Sequence, residues 1–323
     1  MPYNGLIDRG DAASLIPEDV SKEIIKNVAD TAWLLRLARR LPNMNRAQTR
    51  MPVANALAQA YFVTGDTGLK QTTELDWANR FIDAEEIAAI VPIPEAVLDD
   101  TDYDIWGEVK PELERAFQAL INGAVLFGTS IPATWTTNMG AAGIVAGSTA
   151  AGNTISLANY TDLYEAVLGE TAAGVAGLLM LLEADGFDAS GHAASIAMKG
   201  RYRNVRDVGG QPIFLRSMQD RGQYEVDGAP IYFPKDGSWQ VAQALQISGD
   251  WQQLVYAVRQ DMTYKILTEA VITDAGGNIV YNLAQQDMVA LRAVMRIGFA
   301  LPNPINRMNT NAATRFPFAV LTA

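Results

Sequence analysis

A single histidine, His192, and no cysteine occur in the 323 residues. Those two counts decide most of the chemistry open to the chain. Zinc sites built on paired histidines or on thiolates cannot form within one copy, and disulfides and cysteine nucleophiles are excluded with them. A Ser/His/Asp triad would have to use His192. The surrounding GFDASGHAASIAM reads as a turn leading into a strand, and no serine stands in a G-x-S-x-G elbow. His192 is therefore expected to be a loop-to-strand residue without catalytic work. The glycines at 140, 143, 147 and 152 do not form G-x-G-x-x-G, and no Walker lysine follows them, so no nucleotide cofactor is implied.

Carboxylates cluster between Glu95 and Glu108, with Asp99, Asp100, Asp102 and Asp104 between them. The run DDTDYD invites a calcium loop, but a loop opening at Asp100 needs Gly at 105 and Glu at 111. Ile105 and Pro111 occupy those positions, so helix capping and a solvated acidic face account for the run. Guanidiniums cluster at Arg36, Arg39, Arg40, Arg46 and Arg50 in a chain whose net charge is −11. That balance argues against broad affinity for nucleic acid, which needs clustered bases, but suits a surface that encloses nucleic acid without sticking to it. Two uses of the arginines compete: contact with enclosed nucleic acid, or ion pairing with the 95–108 acids within or between subunits. Pairing is the preferred reading, acting on register and partner choice more than on stability. Among the 36 acids no pair stands out as an acid/base couple, so a carboxylate hydrolase has no positive support.

The elements that must position these groups follow from periodicity. Between Asp104 and Thr129, Val109, Leu113, Ala116, Phe117, Leu120, Ala124 and Phe127 recur at spacings of three and four, a helix about 35 Å long. Its wet side carries Glu108, Lys110, Glu112, Glu114, Arg115 and Asn122, with Asp102 or Asp104 as cap and Gly128 as stop. Ahead of it, residues 1–16 read as an extended arm, Pro17 opens a helix bearing Ile24, Ile25 and Val28, and WLLRLARRL makes a second. MPVANALAQAYFV and WANRFIDAEEIAAIVPIP form a long hairpin with its tip between Gly65 and Glu74, carrying Lys70 and Trp77. Two strands alone are marginal in water, so this hairpin should be buried on something else, with a partner subunit as the natural candidate.

Beyond the helix, GAAGIVAGSTAAGN reads as a flexible loop, residues 160–184 as a second helix, amphipathic and then buried, that contains three glycines, SIAMKG as a strand, RYRNVRDV as a helix, and GQPIFL and APIYFP as strands. QQLVYAVRQDMTYKILTEAVIT and the alternating run from Asp287 to Leu301 are long strands that return to the helix from far away. The class is α+β, with the helix-bearing domain discontinuous. The apolar stretch from Thr171 to Leu182 is too short to cross a bilayer, and no secretory signal pattern opens the chain.

The order of arm, hairpin, long helix, α+β region and returning strands resembles the major capsid proteins of tailed bacteriophages, the Hong Kong 97-type shell fold. AYFVTGDTGLKQTTELDW is similar to that family's extended loop, VPIPEAVLDDTDYDIWGEVKP to the lead-in to its spine helix, and MRIGFALPNPIN to its RMNGLP-type endings. The resemblance implies an arm and helix at 1–44, an extended loop at 45–94, a peripheral domain at 95–130 plus 250–305, an axial domain at 131–249 and a C-terminal tail at 306–323. It also implies a non-enzymatic role without cofactors: hexamers and pentamers closing an icosahedral phage head around double-stranded DNA, found in the virion and assembled in the host cytoplasm. Scaffolding, portal and decoration proteins are the further partners it suggests, and no membrane. Arg36, Arg39, Arg40, Arg46, Arg50, Lys70, Trp77, Asp99, Asp100 and Asp102 are the expected inter-subunit residues. The arm begins close to Met1, so assembly is expected to use a separate scaffold or none. Some members link a loop lysine covalently to a neighbour's asparagine; Lys70 with Asn303 or Asn306 matches the residue types, though an exposed loop lysine is the default reading. A compartment shell enclosing protein cargo is the alternative.

Overall fold

The computed structural model describes residues 33–63, 68–100, 104–169, 171, 174–206, 224–274 and 276–323. The expected arm, the helix after Pro17, the strand GQPIFL, Asp102 and part of the hairpin tip fall outside them.

The long helix spans Ile105–Phe127 and is bounded as its sequence dictates. Asp104 caps it, its carboxylate accepting from the Gly107 amide at 3.0 Å, and Gly128 ends it in the left-handed region. Glu112 and Arg115 pair across a turn at 3.0 Å. Lys110 and Glu114 instead both turn to Tyr264: the ammonium lies 6.0 Å from the ring centroid, and the phenol donates to the carboxylate at 2.9 Å. Leu113 and Phe117 mark one buried face, but every residue from Ile121 to Phe127 is buried. Leu120 is exposed, and Asn122, expected on the wet side, is fully enclosed and donates to the Asp236 carboxylate. The second half of the spine runs through the core, where a 3.6-residue period no longer separates two faces.

Two sheets flank this spine. The peripheral sheet has the order Arg39–Arg40, Val255–Leu267, Met288–Ala300, Glu85–Pro94. The last of these is an edge strand, which is where Pro92 and Pro94 can sit without breaking a ladder. The axial sheet has the order Thr154–Ser156, Phe318–Thr322, Gln246–Gly249, Gly191–Ala194, Ala229–Tyr232, Glu225–Val226. Leu126, Trp251, Phe299 and Phe318 belong to one core shared by the spine and both sheets, and a second core fills the far side of the axial sheet.

Several readings change. The helix predicted from WLLRLARRL covers only Trp33–Leu37, and the chain then becomes the parallel edge strand Arg39–Arg40. Among the described residues the hairpin is paired over Gln48–Ala56 and Asp76–Asp83; Glu85–Pro94 leaves it to join the peripheral sheet. GAAGIVAGSTAAGN is no loop: Ile144–Ala151 is a helix whose small residues allow close packing, and a Cβ on Gly147 would meet the Phe316 ring at 2.3 Å. The 160–184 helix splits into Leu163–Leu168 and Leu178–Ala184, as its glycines warned. SIAMKG is a turn into the helix Met198–Arg203. The expected C-terminal tail supplies Phe318–Thr322, an inner strand of the axial sheet.

His192 lies in that sheet, fully buried. Its Nε2 faces the Val226 carbonyl at 3.0 Å, which can only accept, so Nε2 carries the proton and Nδ1 accepts from the Ser248 hydroxyl at 2.8 Å. Ser248 Oγ in turn accepts from Gln246, whose carbonyl accepts from Tyr202. Burial outweighs the Val226 carbonyl and Asp227 and lowers the imidazole to about 4, from its ordinary 6.5.

Two outcomes follow. Gly143 has φ +93°, and a Cβ there would lie 2.6 Å from the Gly128 amide nitrogen at the spine's end, whereas a Cβ on Gly140, also left-handed, meets nothing within 4 Å. Gly143→Ala should therefore cost well over ~1 kcal/mol and Gly140→Ala about 1 kcal/mol in urea unfolding of the dissociated subunit; equal losses would contradict the close approach. For His192, the unfolded chain takes a proton below 6.5 and the folded chain only below about 4, so stability is complete above 6.5 and falls as pH drops through that window. The loss totals about 3 kcal/mol, and His192→Gln should remove this part of the pH slope of the urea midpoint.

Candidate assembly surface

The paired ribbon Gln48–Ala56 and Asp76–Asp83 stands on one root. At Asp83 the Trp135 indole donates to the backbone carbonyl at 3.2 Å and the Asn138 amide to the carboxylate at 2.9 Å, while Thr134 donates to Glu85 at 2.7 Å. Ile82 is fully buried beside it, and Gly298 is the residue that lets the Asp83 carbonyl approach, since a Cβ there would stand 2.5 Å away. Farther out, Arg307 donates to the Ala58 carbonyl at 2.9 Å and the Ile305 amide to that of Ala54 at 3.4 Å, so the 301–316 segment straps one ribbon strand. That strap is itself tied down by Asp185, whose carboxylate accepts from Asn153, Asn309 and the Phe316 amide at 2.7, 2.7 and 3.0 Å.

Beyond the root the described residues of the ribbon form no core. Phe62 is 106% exposed, Leu69 92% and Trp77 64%, and Tyr61, Val63, Leu75 and Phe81 are exposed with them. Lys70 is also exposed on this segment. Charged side chains meanwhile line the root: a cavity of about 460 Å³ is bounded by Leu41, Met44, Arg46, Arg50, Ile82 and Ala257. Arg36, Arg39 and Arg40 are exposed just ahead of it, and Arg40 donates to Asn43 at 3.0 Å.

Register places the acids elsewhere. Arg39 pairs with Val255, which faces Ala300, whereas the helix Glu95–Asp100, with Asp99 and Asp100 exposed, follows Pro94, which faces Met288. The run Met288–Ala300 thus separates the two clusters by about 40 Å of strand. Arg39 and Arg40 therefore do not meet Asp99 and Asp100 of the same copy. The asparagines matched in type to Lys70 are already engaged: Asn303 donates to the Arg315 carbonyl at 2.8 Å and Asn306 to that of Asp185 at 2.7 Å.

Among the described residues no cluster of three or more His, Asp or Glu is arranged to hold a metal ion, and no helix is long and apolar enough to cross a membrane. Sequence reasoning missed the root. Its visible trace is the Asp83–Ala84 step between two apolar runs, and nothing local links it to Trp135, Asn138 and Gly298.

The profile of the phage capsid family matches residues 12–306. A curated relative, the major capsid protein of Staphylococcus phage 80alpha, is 24% identical over 278 residues, covering 85% of this chain and 78% of its own length. Among solved structures, one from Microbacterium phage Oxtober96 superposes with a TM-score of 0.81 at 33% identity, over 98% of this chain and 99% of its own. One from Mycobacterium phage Adephagia gives 0.80 at 28% identity, over 98% of both chains. A family profile spanning nearly the whole chain, together with a body that leaves an apolar ribbon uncovered, identifies this chain as a member of the phage capsid family with the structural role of a major capsid protein.

Proposed function

We propose that many copies of this chain associate as hexamers and pentamers into an icosahedral head enclosing double-stranded DNA, each ribbon lying across a neighbouring copy. The exposed ribbon carries this reading. Trp77 lies on a two-stranded ribbon, and Phe62 and Leu69 on the unpaired segments that extend it; all three are large apolar side chains exposed among the described residues. Burying each would contribute about 1.5–3 kcal/mol against the entropy of docking the ribbon. A multi-copy shell supplies the missing layer without any other protein. The acidic balance suits a wall that confines nucleic acid without sequence-specific binding.

In this reading Arg39, Arg40, Arg46 and Arg50 at the root of one copy face Asp99 and Asp100 of the next. Such pairs set register more than strength. Lys70 works as an exposed, non-covalent contact on the same segment as Trp77, and both candidate acceptor asparagines donate hydrogen bonds within their own chain. Scaffolding, portal and decoration proteins are additional partners in this reading, and assembly takes place in the host cytoplasm.

Phe62→Ser combined with Trp77→Ser should leave the urea midpoint of the dissociated subunit unchanged while abolishing shells seen by electron microscopy. A wild-type chain that stays monomeric in sedimentation at high concentration, with and without its accessory proteins, would sink the reading. Arg39→Glu with Arg40→Glu should suppress assembly, and adding Asp99→Lys with Asp100→Lys should restore part of it; normal shells from the arginine variant alone would remove the pairing but not the ribbon. Denatured shells should run as a single band near 35.0 kDa.

A further inference from the structure

Arg315, in the strap, is 3% exposed, and all its hydrogen bonds go to neutral groups. Nε donates to Asn303 Oδ1 at 3.2 Å, and the two terminal nitrogens donate to the carbonyls of Asn309 at 2.9 Å and Asn303 at 3.0 Å. A guanidinium carries five N–H groups, so one is left over on each terminal nitrogen. Among the described residues neither Arg315 nor Arg80 comes within ion-pair distance of an acid. Burial lowers the Arg315 pKa by more than nearby Asp185 raises it, and the Arg80 charge lowers it further. The Asp185 carboxylate is already shared among Asn153, Asn309 and the Phe316 amide. Atom by atom Arg315 is satisfied, but its buried charge is not balanced.

A cavity of about 220 Å³ lies between the two arginines and is lined by both. Arg80 reaches it from the exposed ribbon strand Asp76–Asp83, where it pairs with Met51, and Arg315 from the strap. Like charges from two distant segments thus face one space. Met139 and Ala151, the last residues of the helices Ala133–Met139 and Ile144–Ala151, also line it. Such helix ends carry at most about half a negative charge each, which draws cations in without balancing two of them.

Geometry and volume narrow the ligand. At about 30 Å³ per water the cavity holds the equivalent of roughly seven waters, room for one small oxyanion with part of its hydration. A carboxylate has two oxygens and fills one guanidinium fork. A tetrahedral oxyanion has four, and can give two to the spare N–H groups of Arg315 and two to Arg80.

We infer that this cavity is a site for free inorganic phosphate, held between Arg80 of the ribbon and Arg315 of the strap. The bound anion ties the ribbon strand to the strap by a bridge that neither arginine makes alone. All of its ligands belong to one copy, so the site stands or falls separately from the shell reading.

Calorimetric titration of dissociated subunits with inorganic phosphate, in chloride buffer at matched ionic strength, should show saturable binding of one phosphate per chain and a rise in the urea midpoint. Arg80→Gln should weaken binding by about tenfold or more, and Arg80→Lys, which keeps the charge and loses the fork, by about threefold. In chloride alone Arg80→Gln should leave the urea midpoint level or raise it, because it removes a like charge from beside Arg315; a lower midpoint would mark Arg80 as a structural arginine and count against the site. Phosphate binding no stronger than that of chloride, or equal in wild type and Arg80→Gln, overturns the proposal. Acetate that binds as tightly as phosphate overturns the tetrahedral assignment, and a thymidine hexanucleotide that displaces phosphate overturns the free anion in favour of a nucleic acid backbone.

Discussion

Asp83 is where a ribbon without a core is tied to a body that has one. Trp135 and Asn138 hold its backbone and carboxylate, Ile82 is sealed beside it, and Gly298 lets the strands approach. One residue later the chain changes sheets, so the direction in which the ribbon leaves the body is fixed by buried contacts and not by its own pairing. A ribbon of two strands has no independent stability to contribute. Whatever covers its apolar side chains therefore gains the full benefit of burying them, because the body has already met the cost of aiming the ribbon.

The strap from Leu301 to Phe316 reinforces this from the other side. Asp185 gathers Asn153, Asn309 and the Phe316 amide on one carboxylate, and its backbone carbonyl takes Asn306. Arg315, buried nearby, donates to Asn303 and to the carbonyls of Asn303 and Asn309. These polar groups sit in a crowded loop that joins the peripheral sheet to an inner strand of the axial sheet. A fully satisfied buried network of this kind specifies one arrangement more than it adds stability. The ribbon, the strap and the inner strand Phe318–Thr322 are thus mechanically one unit, although they lie at opposite ends of the chain.

How much of this was legible in the sequence depended on whether the signal was local. The spine's bounds were readable because Asp104, Gly128 and the 3.6-residue spacing of Leu113 and Phe117 act within a few residues. The strand Met288–Ala300 was readable because one face is buried throughout. Reading failed where tertiary context overrode local pattern: Asn122 is enclosed because a second sheet closes over the helix, and the helix Ile144–Ala151 looked like a loop because its small residues serve close approach to Phe316. The apolar ribbon was legible as a hairpin, but not its early end, since Glu85–Pro94 continues the same alternation in a different sheet. The arginine and acid clusters were both visible; their separation along Met288–Ala300 was not, because only the register fixes it.

That separation constrains how copies can meet. One end of the peripheral sheet presents Arg39 and Arg40 and the other presents Asp99 and Asp100. A two-fold contact on either end would bring like charges together. Joining unlike ends makes a heterologous contact, which repeats from copy to copy until it closes into a ring or runs on as a filament. A ribbon rooted at a fixed angle favours closure, since each copy must lie across its neighbour at the same inclination as the one before. Rings of one chain in which both five and six copies close require a joint that tolerates a small change of angle. Long-range charge pairing supplies that tolerance better than interlocked apolar packing, because its energy falls slowly with distance and direction. In the proposed shell the division of labour is then physical: apolar ribbon contacts would supply most of the adhesion, and the polar ends the order in which copies join.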